Sequence, residues 1–207
     1  YKRQGHRNNA FGAFSMRYNT TGHNNTASGY FSLYNNTIGS RNTAVGLKAL
    51  YSNTTASYNT AIGYTSLYDN TTGAGNTALG YGTMYYSTTS SYNTAYGNAA
   101  LQDNTTGTCN TSIGVLALAD NTTGCLNVAV GPQAGRLTTT GKNNVFIGPY
   151  AGCCNTTSSY NTAIGRSAGL SYNNGTSMTY AQRSTMLGSF ARLAVSGGQY
   201  NLSLIHI

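Results

Sequence analysis

The side chains best suited to contact a partner are tyrosines, and they recur at a fixed interval. Tyr34, Tyr51, Tyr68 and Tyr85 lie seventeen residues apart; Tyr58, Tyr92 and Tyr160 share another phase of that interval, and Tyr200 joins them once the 23-residue step from Gly165 to Gly188 is allowed for. A tyrosine joins an apolar ring to a polar tip. An exposed row stacks on sugar rings or sits in an interface, whereas a row packed on itself along strand edges stabilises the fold. Tyr34, Tyr51, Tyr68 and Tyr85 are therefore the candidate receptor or interface contacts, with self-packing as the simpler alternative.

The sequence contains no catalytic, metal-binding or cofactor-binding constellation. Glutamate is absent, and the acids are Asp69, Asp103 and Asp120. Each precedes Asn-Thr-Thr-Gly, which superficially suits calcium, but the paired glycines of repeat-type calcium motifs are missing. Asn35, Ser52 and Tyr86 take the same place in other repeats, so the aspartates read as turn formers. His6 and His23 both fall at turn position 16 and read as surface turn residues, so no Ser-His-Asp or Cys-His set is expected.

Cys109, Cys125, Cys153 and Cys154 lack zinc-type spacing with a histidine. Cys109 and Cys125 fall on adjacent repeats near one corner. Two readings stay open: a disulfide, by analogy with oxidised extracellular repeats, or free thiols in Ala-like or Ser-like positions. Asn19, Asn53, Asn70, Asn104, Asn121 and Asn155 satisfy the glycosylation sequon. That is incidental in a bacterial or phage product, and coats one edge of the molecule in a secreted eukaryotic one.

These residues are ordered by a strict repeat. Asn recurs at 8, 25, 42, 59, 76, 93, 110, 127, 144 and 161, and Gly four residues after each. Each unit is one structural layer touching its neighbours. Numbered from its Asn, the unit has Thr or Val at position 2, mostly Ala at 3, an aliphatic at 4 and Gly at 5. Positions 8 and 9 are Ala or Ser then Leu or Met, and positions 12 to 15 usually read Asn-Thr-Thr-Gly.

The apolar spacing of a helix is missing, and the recurrent glycines would break one. Thr-Ala-Ile reads as a short strand with positions 2 and 4 on one face. Gly at position 5 makes a corner that a Cβ would obstruct. Positions 7 to 9 read as a second strand, and Asn-Thr-Thr-Gly as the turn into the next layer. The expected fold is all-β: a parallel β-solenoid, or β-roll, of about eleven seventeen-residue coils with two short strands each. At about 4.8 Å per coil the rod is roughly 50 Å long. Matching residues stack, giving an Asn ladder at position 1 and a Thr ladder at position 13. So thin a roll, with small Ala-rich faces, gains by packing sideways on other copies, which predicts an oligomer and most simply a homotrimer.

Only 7% of the 207 residues are charged, against a norm of about 25%. The net charge of +8 is spread without a Lys/Arg run, which excludes a nucleic-acid footprint. No apolar run approaches the ~20 residues of a membrane span, so no direct membrane insertion is expected from this stretch.

Residues 1–4 and 202–207 read as translated transposon-derived sequencing adapter, which makes the chain a slice of a longer array. The regular repeats occupy 5–169. From the eighth unit Gly replaces Leu at position 9, as Gly135, Gly152 and Gly169, so that corner is tighter or more closely approached. Gly165 and Gly188 are 23 residues apart, which places an insertion loop at 170–183 before the final partial repeats at 184–201.

Units such as Asn42-Thr-Ala-Val-Gly46 and Asn161-Thr-Ala-Ile-Gly165, joined by Asn-Thr-Thr-Gly turns, resemble the repeats of bacterial and phage tail-fibre-like proteins. They are also similar to the head repeats of trimeric autotransporter adhesins, whose unit is nearer fourteen residues. The resemblance implies a left-handed parallel β-roll, three chains side by side, at a cell surface or on a virion tail. It further implies an extracellular, non-enzymatic rod that presents receptor-binding surfaces to a cell-surface glycan or protein. Two other readings are an ice-binding solenoid, using stacked Thr at position 13, and a self-assembling surface filament.

Overall fold

A computed structural model describes residues 7–170, 182–192 and 202–204. The expected loop residues 171–181, the terminal stretches 1–4 and 205–207, His6 and Tyr200 lie outside the described residues. The strands, three residues each, are β1 (Asn9–Phe11), β2 (Thr26–Ser28), β3 (Thr43–Val45), β4 (Thr60–Ile62), β5 (Thr77–Leu79) and β6 (Thr94–Tyr96), followed by β7 (Thr111–Ile113), β8 (Val128–Val130), β9 (Val145–Ile147), β10 (Thr162–Ile164), β11 (Thr185–Leu187) and β12 (Leu202–Leu204). They form one 12-stranded parallel sheet in sequence order. The chain is a parallel β-solenoid. No helix among the described residues is long and apolar enough to cross a membrane.

The register follows the repeat, Thr43 beside Thr60 and Ala44 beside Ala61. The 23-residue step is absorbed without loss of pairing, since Thr162 pairs with Thr185. Leu202–Leu204 also continues the sheet, on β11. Backbone ladder bonds do not depend on side-chain identity, so Leu-Ser-Leu serves where Thr-Ala-Ile would stand.

Positions 2 and 4 do share a face, and it is the outer one. The inward residue is position 3, where Ala27, Ala44, Ala61 and Ala78 are fully buried. Opposite them stand the equally buried Met16, Leu33, Leu50 and Leu67 of position 9. The interior is only wide enough for one small and one large side chain per coil.

The later coils exchange the two sizes. Phe146 takes the alanine position, and a Cβ added at Gly135 or Gly152 would strike its ring. Met186 likewise occupies the space left by Gly169. The close approach expected at these glycines is thus made by a large side chain from the opposite wall.

Only one strand per coil is extended. Positions 7 and 9 are left-handed, as in Lys48 (φ 56) and Leu50 (φ 52), so the expected second strand at positions 7 to 9 does not form. Its backbone still bonds between coils: Lys48 N–H donates to Tyr30 O at 2.9 Å and Leu50 N–H to Ser66 O at 3.0 Å. The N–H groups of positions 7 and 9 thus turn toward the preceding and the following coil, while that of Ala49 between them bonds to Gly46 O within its own coil. A left-handed residue other than Gly costs roughly 1–2 kcal/mol, and these inter-coil bonds hold it there. Gly at position 5 is obligatory for two reasons. Gly12 has φ +117, and a Cβ on it would lie 2.7 Å from Gly29 O of the next coil.

Two columns of buried asparagine close the coils. Asn42 Nδ2 donates to Ala56 O of its own coil at 2.8 Å, and its Oδ1 accepts from Asn59 N–H of the next at 3.0 Å. At position 12, Asn36 Nδ2 donates to Asn19 Oδ1 at 2.7 Å and to Gly39 O at 2.9 Å. The threonine ladder at position 13 also forms, with Thr37 Oγ1 donating to Thr54 O at 3.0 Å and Thr71 Oγ1 to Thr88 O at 3.0 Å.

Candidate functional site

The coil path fixes where the tyrosines stand. Positions 6 and 7 follow the Gly corner, and position 10 follows the buried position 9, so both stretches face outward on one flank. At position 10, Tyr34 and Tyr51 stack with centroids 5.3 Å apart and planes 3° from parallel. Tyr51–Tyr68 repeats this at 5.1 Å and 5°, and Tyr68–Tyr85 at 4.9 Å and 11°. The four candidate contacts are therefore brought together as a continuous half-buried column. Each ring covers its neighbour, which serves the stabilising role, while edges and hydroxyls remain available outside.

A second column stands beside it. Tyr64 and Tyr81, both at position 6 and both exposed, stack at 5.2 Å and 5°. Between the columns lies an open groove of about 280 Å³. Its walls are Tyr64 and Tyr81 on one side and Tyr68 and Tyr85 on the other, with Tyr86 beyond. Its floor is Thr65 and Gly82, and Lys48 and Gln102 close its ends. The volume sits at the lower edge of ligand clefts, which run roughly 300–1,000 Å³.

Lys48 Nζ stands 5.9 Å from the Tyr51 ring centroid and 5.8 Å from that of Tyr68, a cation–π arrangement at the groove mouth. Burial raises the Tyr85 phenol above its ordinary value, and the charge of Asp69 adds to this, so Tyr85 is neutral and able to donate. Toward the first coil the aromatic flank continues. Phe14 stacks on Phe31 at 5.1 Å, and the Arg17 guanidinium lies 5.2 Å from the Phe14 ring. Tyr34 and Tyr18 share a hydroxyl contact of 3.4 Å that lowers the Tyr18 phenol and raises that of Tyr34.

The described position-17 tyrosines, Tyr58, Tyr92 and Tyr160, form no column. Tyr58 is covered by Arg41, whose guanidinium carbon lies 5.1 Å from its ring. Arg183 similarly lies 5.5 Å from the ring of Tyr160, and Tyr92 packs over Gly75.

The remaining candidates have structural places. Asp69 and Asp103 are half-buried at position 11, and burial raises both carboxyls, with Asp120 adding to the shift of Asp103. Among the described residues no group of three or more His, Cys, Asp or Glu is placed to hold a metal. His23 is exposed. Cys109, Cys125, Cys153 and Cys154 form no disulfide. Cys125 fills a Ser position: its Sγ accepts from Thr108 N–H at 3.4 Å, as Ser57 Oγ accepts from Ser40 N–H at 3.0 Å. The sequon asparagines are the position-12 column. Asn53, Asn70, Asn104, Asn121 and Asn155 are fully buried and Asn19 nearly so, so the folded chain has no room for a glycan on them.

Sequence reasoning missed the position-6 tyrosines and with them the groove. Only Tyr30, Tyr64 and Tyr81 occupy that phase, too few to register as a periodic set. Writing the coils beneath one another and reading positions 6 and 10 as neighbours would have revealed the pair of columns. No protein-family model, curated protein or solved structure matches this chain.

Proposed function

We propose that the chain is a segment of an extracellular fibre or adhesin, a phage tail fibre or a bacterial surface protein, whose work is mechanical rather than catalytic. A stiff rod holds contact surfaces away from the particle or cell that bears it, and repetition of those surfaces turns weak contacts into avidity. The observation that carries this reading is the continued coil register, which brings the same repeat positions to the surface at each level. Resemblance of the Asn-Thr-Ala-Ile-Gly units to tail-fibre and adhesin-head repeats points the same way.

The outer sheet face supports association of several copies. Phe11, Val45, Ile62, Tyr96, Ile113, Ile147 and Ile164 at position 4 are between 36% and 68% exposed and line one face of the sheet. A lengthwise apolar stripe of this kind marks an interface, and a homotrimer with three such stripes turned inward is the simplest closed arrangement. Sedimentation equilibrium tests it. A single species of three chain masses is expected, reduced to one when Val45, Ile62 and Ile113 are changed to Thr. A wild-type monomer removes the trimer.

One observation favours an ice-binding reading instead. Thr26, Thr43, Thr60, Thr77, Thr94 and Thr111 stand in register at position 2 on the outer face of the sheet, whereas the position-13 hydroxyls are already spent on the next coil. An ice-recrystallisation assay separates the two readings. No inhibition is expected, and inhibition at low concentration would replace the adhesive reading.

A further inference from the structure

We propose that the groove between the two tyrosine columns binds an extended β-1,4-linked hexopyranose chain lying along the rod, one sugar to each coil. This names the ligand class for the attachment role above and rests on that role. The groove runs lengthwise, because its lining from Lys48 to Gln102 comes from four successive coils. Its walls repeat at 5.2 Å on one side and 4.9 Å on the other. A β-1,4-linked pyranose chain advances by nearly that step per sugar and turns each sugar over relative to the last, so every sugar meets a tyrosine on each wall and equivalent faces recur at every second coil. An α-1,4-linked chain coils and loses the match after one residue.

The wall chemistry suits a neutral sugar. Tyrosine ring edges pack against the sugars, while phenol hydroxyls supply donors and acceptors at each level. Gln102 and Lys48 extend the polar contacts at the ends. Lys48 is the one formally charged lining residue, too little for a polyanion.

The floor shows where the space comes from. Position 7 carries Phe14, Phe31, Leu116 or Tyr150 in other coils and glycine at Gly82. A Cβ added at Gly82 meets nothing within 4 Å. Gly82 has φ +59, and Phe31 holds φ 59 at the same position. A phenylalanine at residue 82 therefore fits the backbone and fills the groove.

The test uses the full chain, wild type and Gly82→Phe, titrated calorimetrically with cellohexaose, chitohexaose and maltohexaose. At least one β-1,4 hexasaccharide is expected to bind about tenfold or more tightly than maltohexaose. Gly82→Phe is expected to lose that binding by about tenfold or more at an unchanged melting temperature. Failure of both β-1,4 chains to bind, equal binding of maltohexaose, or undiminished binding by Gly82→Phe overturns the proposal. A changed sedimentation profile in Gly82→Phe shows that the groove takes a second copy of this chain, and overturns it too. Retention of both rods on bacterial cells is scored alongside. Equal retention of wild type and variant removes the sugar groove and leaves the attachment role, whereas retention of neither removes the attachment role while the titration still decides the groove.

Discussion

Ser87 and Thr138 mark the places where the buried position-12 asparagine column is cut. Asn70 Oδ1 and Ser87 Oγ have no hydrogen-bond partner, and neither do Asn121 Oδ1 and Thr138 Oγ1. In the intact stretch Asn53 Nδ2 donates to Asn36 Oδ1 at 2.7 Å. Ser87→Asn restores that bond to Asn70 and fills the shorter side chain's space. A gain of about 1–2 kcal/mol is expected, since a buried acceptor regains its partner. Denaturant unfolding measures it, and an unchanged or lowered midpoint would contradict the column's energetic role. Asp103 behaves in the opposite sense. Its carboxyl is raised by burial and by Asp120, so the folded state holds a proton that the unfolded state has released. Its contribution is least unfavourable in acid. Stability is lost as pH rises from the ordinary carboxylate range through the raised value, and is flat above it. Asp103→Asn is expected to raise the melting temperature at pH 7, with the difference from wild type closing as pH falls below about 4. A difference independent of pH would show that charge is not the cause.

Among the elements, the Ala/Leu pair of each coil and its exchange for Phe/Gly make a sharper test. Phe146 fills space beside Gly135 and Gly152. Phe146→Ala leaves a cavity and is expected to cost about 3–5 kcal/mol. Adding Gly152→Leu should recover much of that loss, because Leu50 and Leu118 occupy the same position with similar backbone angles. Simple addition of the two effects in a thermodynamic cycle would contradict the exchange. The elements also show what the sequence could reveal. Seventeen-residue spacing was enough for coil, register and threonine ladder, because stacked layers demand identical length. The inward face was not legible, since Thr-Ala-Ile alternates equally well with alanine inside or outside. Nor was the loss of the second strand, because Leu50 or Lys48 in a left-handed conformation leaves no mark in composition. The asparagines of Asn-Thr-Thr-Gly read as turn residues, and their burial became visible only once the turn was seen to fold its amides inward.

At the scale of the whole molecule, the backbone bonds each coil to both neighbours around its circumference, and no coil depends on distant ones. The groove depends on residues of four coils and so belongs to this larger scale. Its tyrosines were half legible: position 10 announced itself by periodicity, whereas position 6 needed the path of the chain around the corner. Stability in such an array is a sum over layers and their interfaces, so removal of one whole layer should be tolerated and removal of part of one should not. The direct measurement is the thermal unfolding, followed by circular dichroism, of a chain lacking residues 59–75, beside one lacking 59–67. The stacked-coil account predicts that the seventeen-residue deletion joins Tyr58 to Asn76 in phase and melts cooperatively close to wild type, while the nine-residue deletion is strongly destabilised. Equal damage from both deletions, or loss of β-structure in the first, would contradict it.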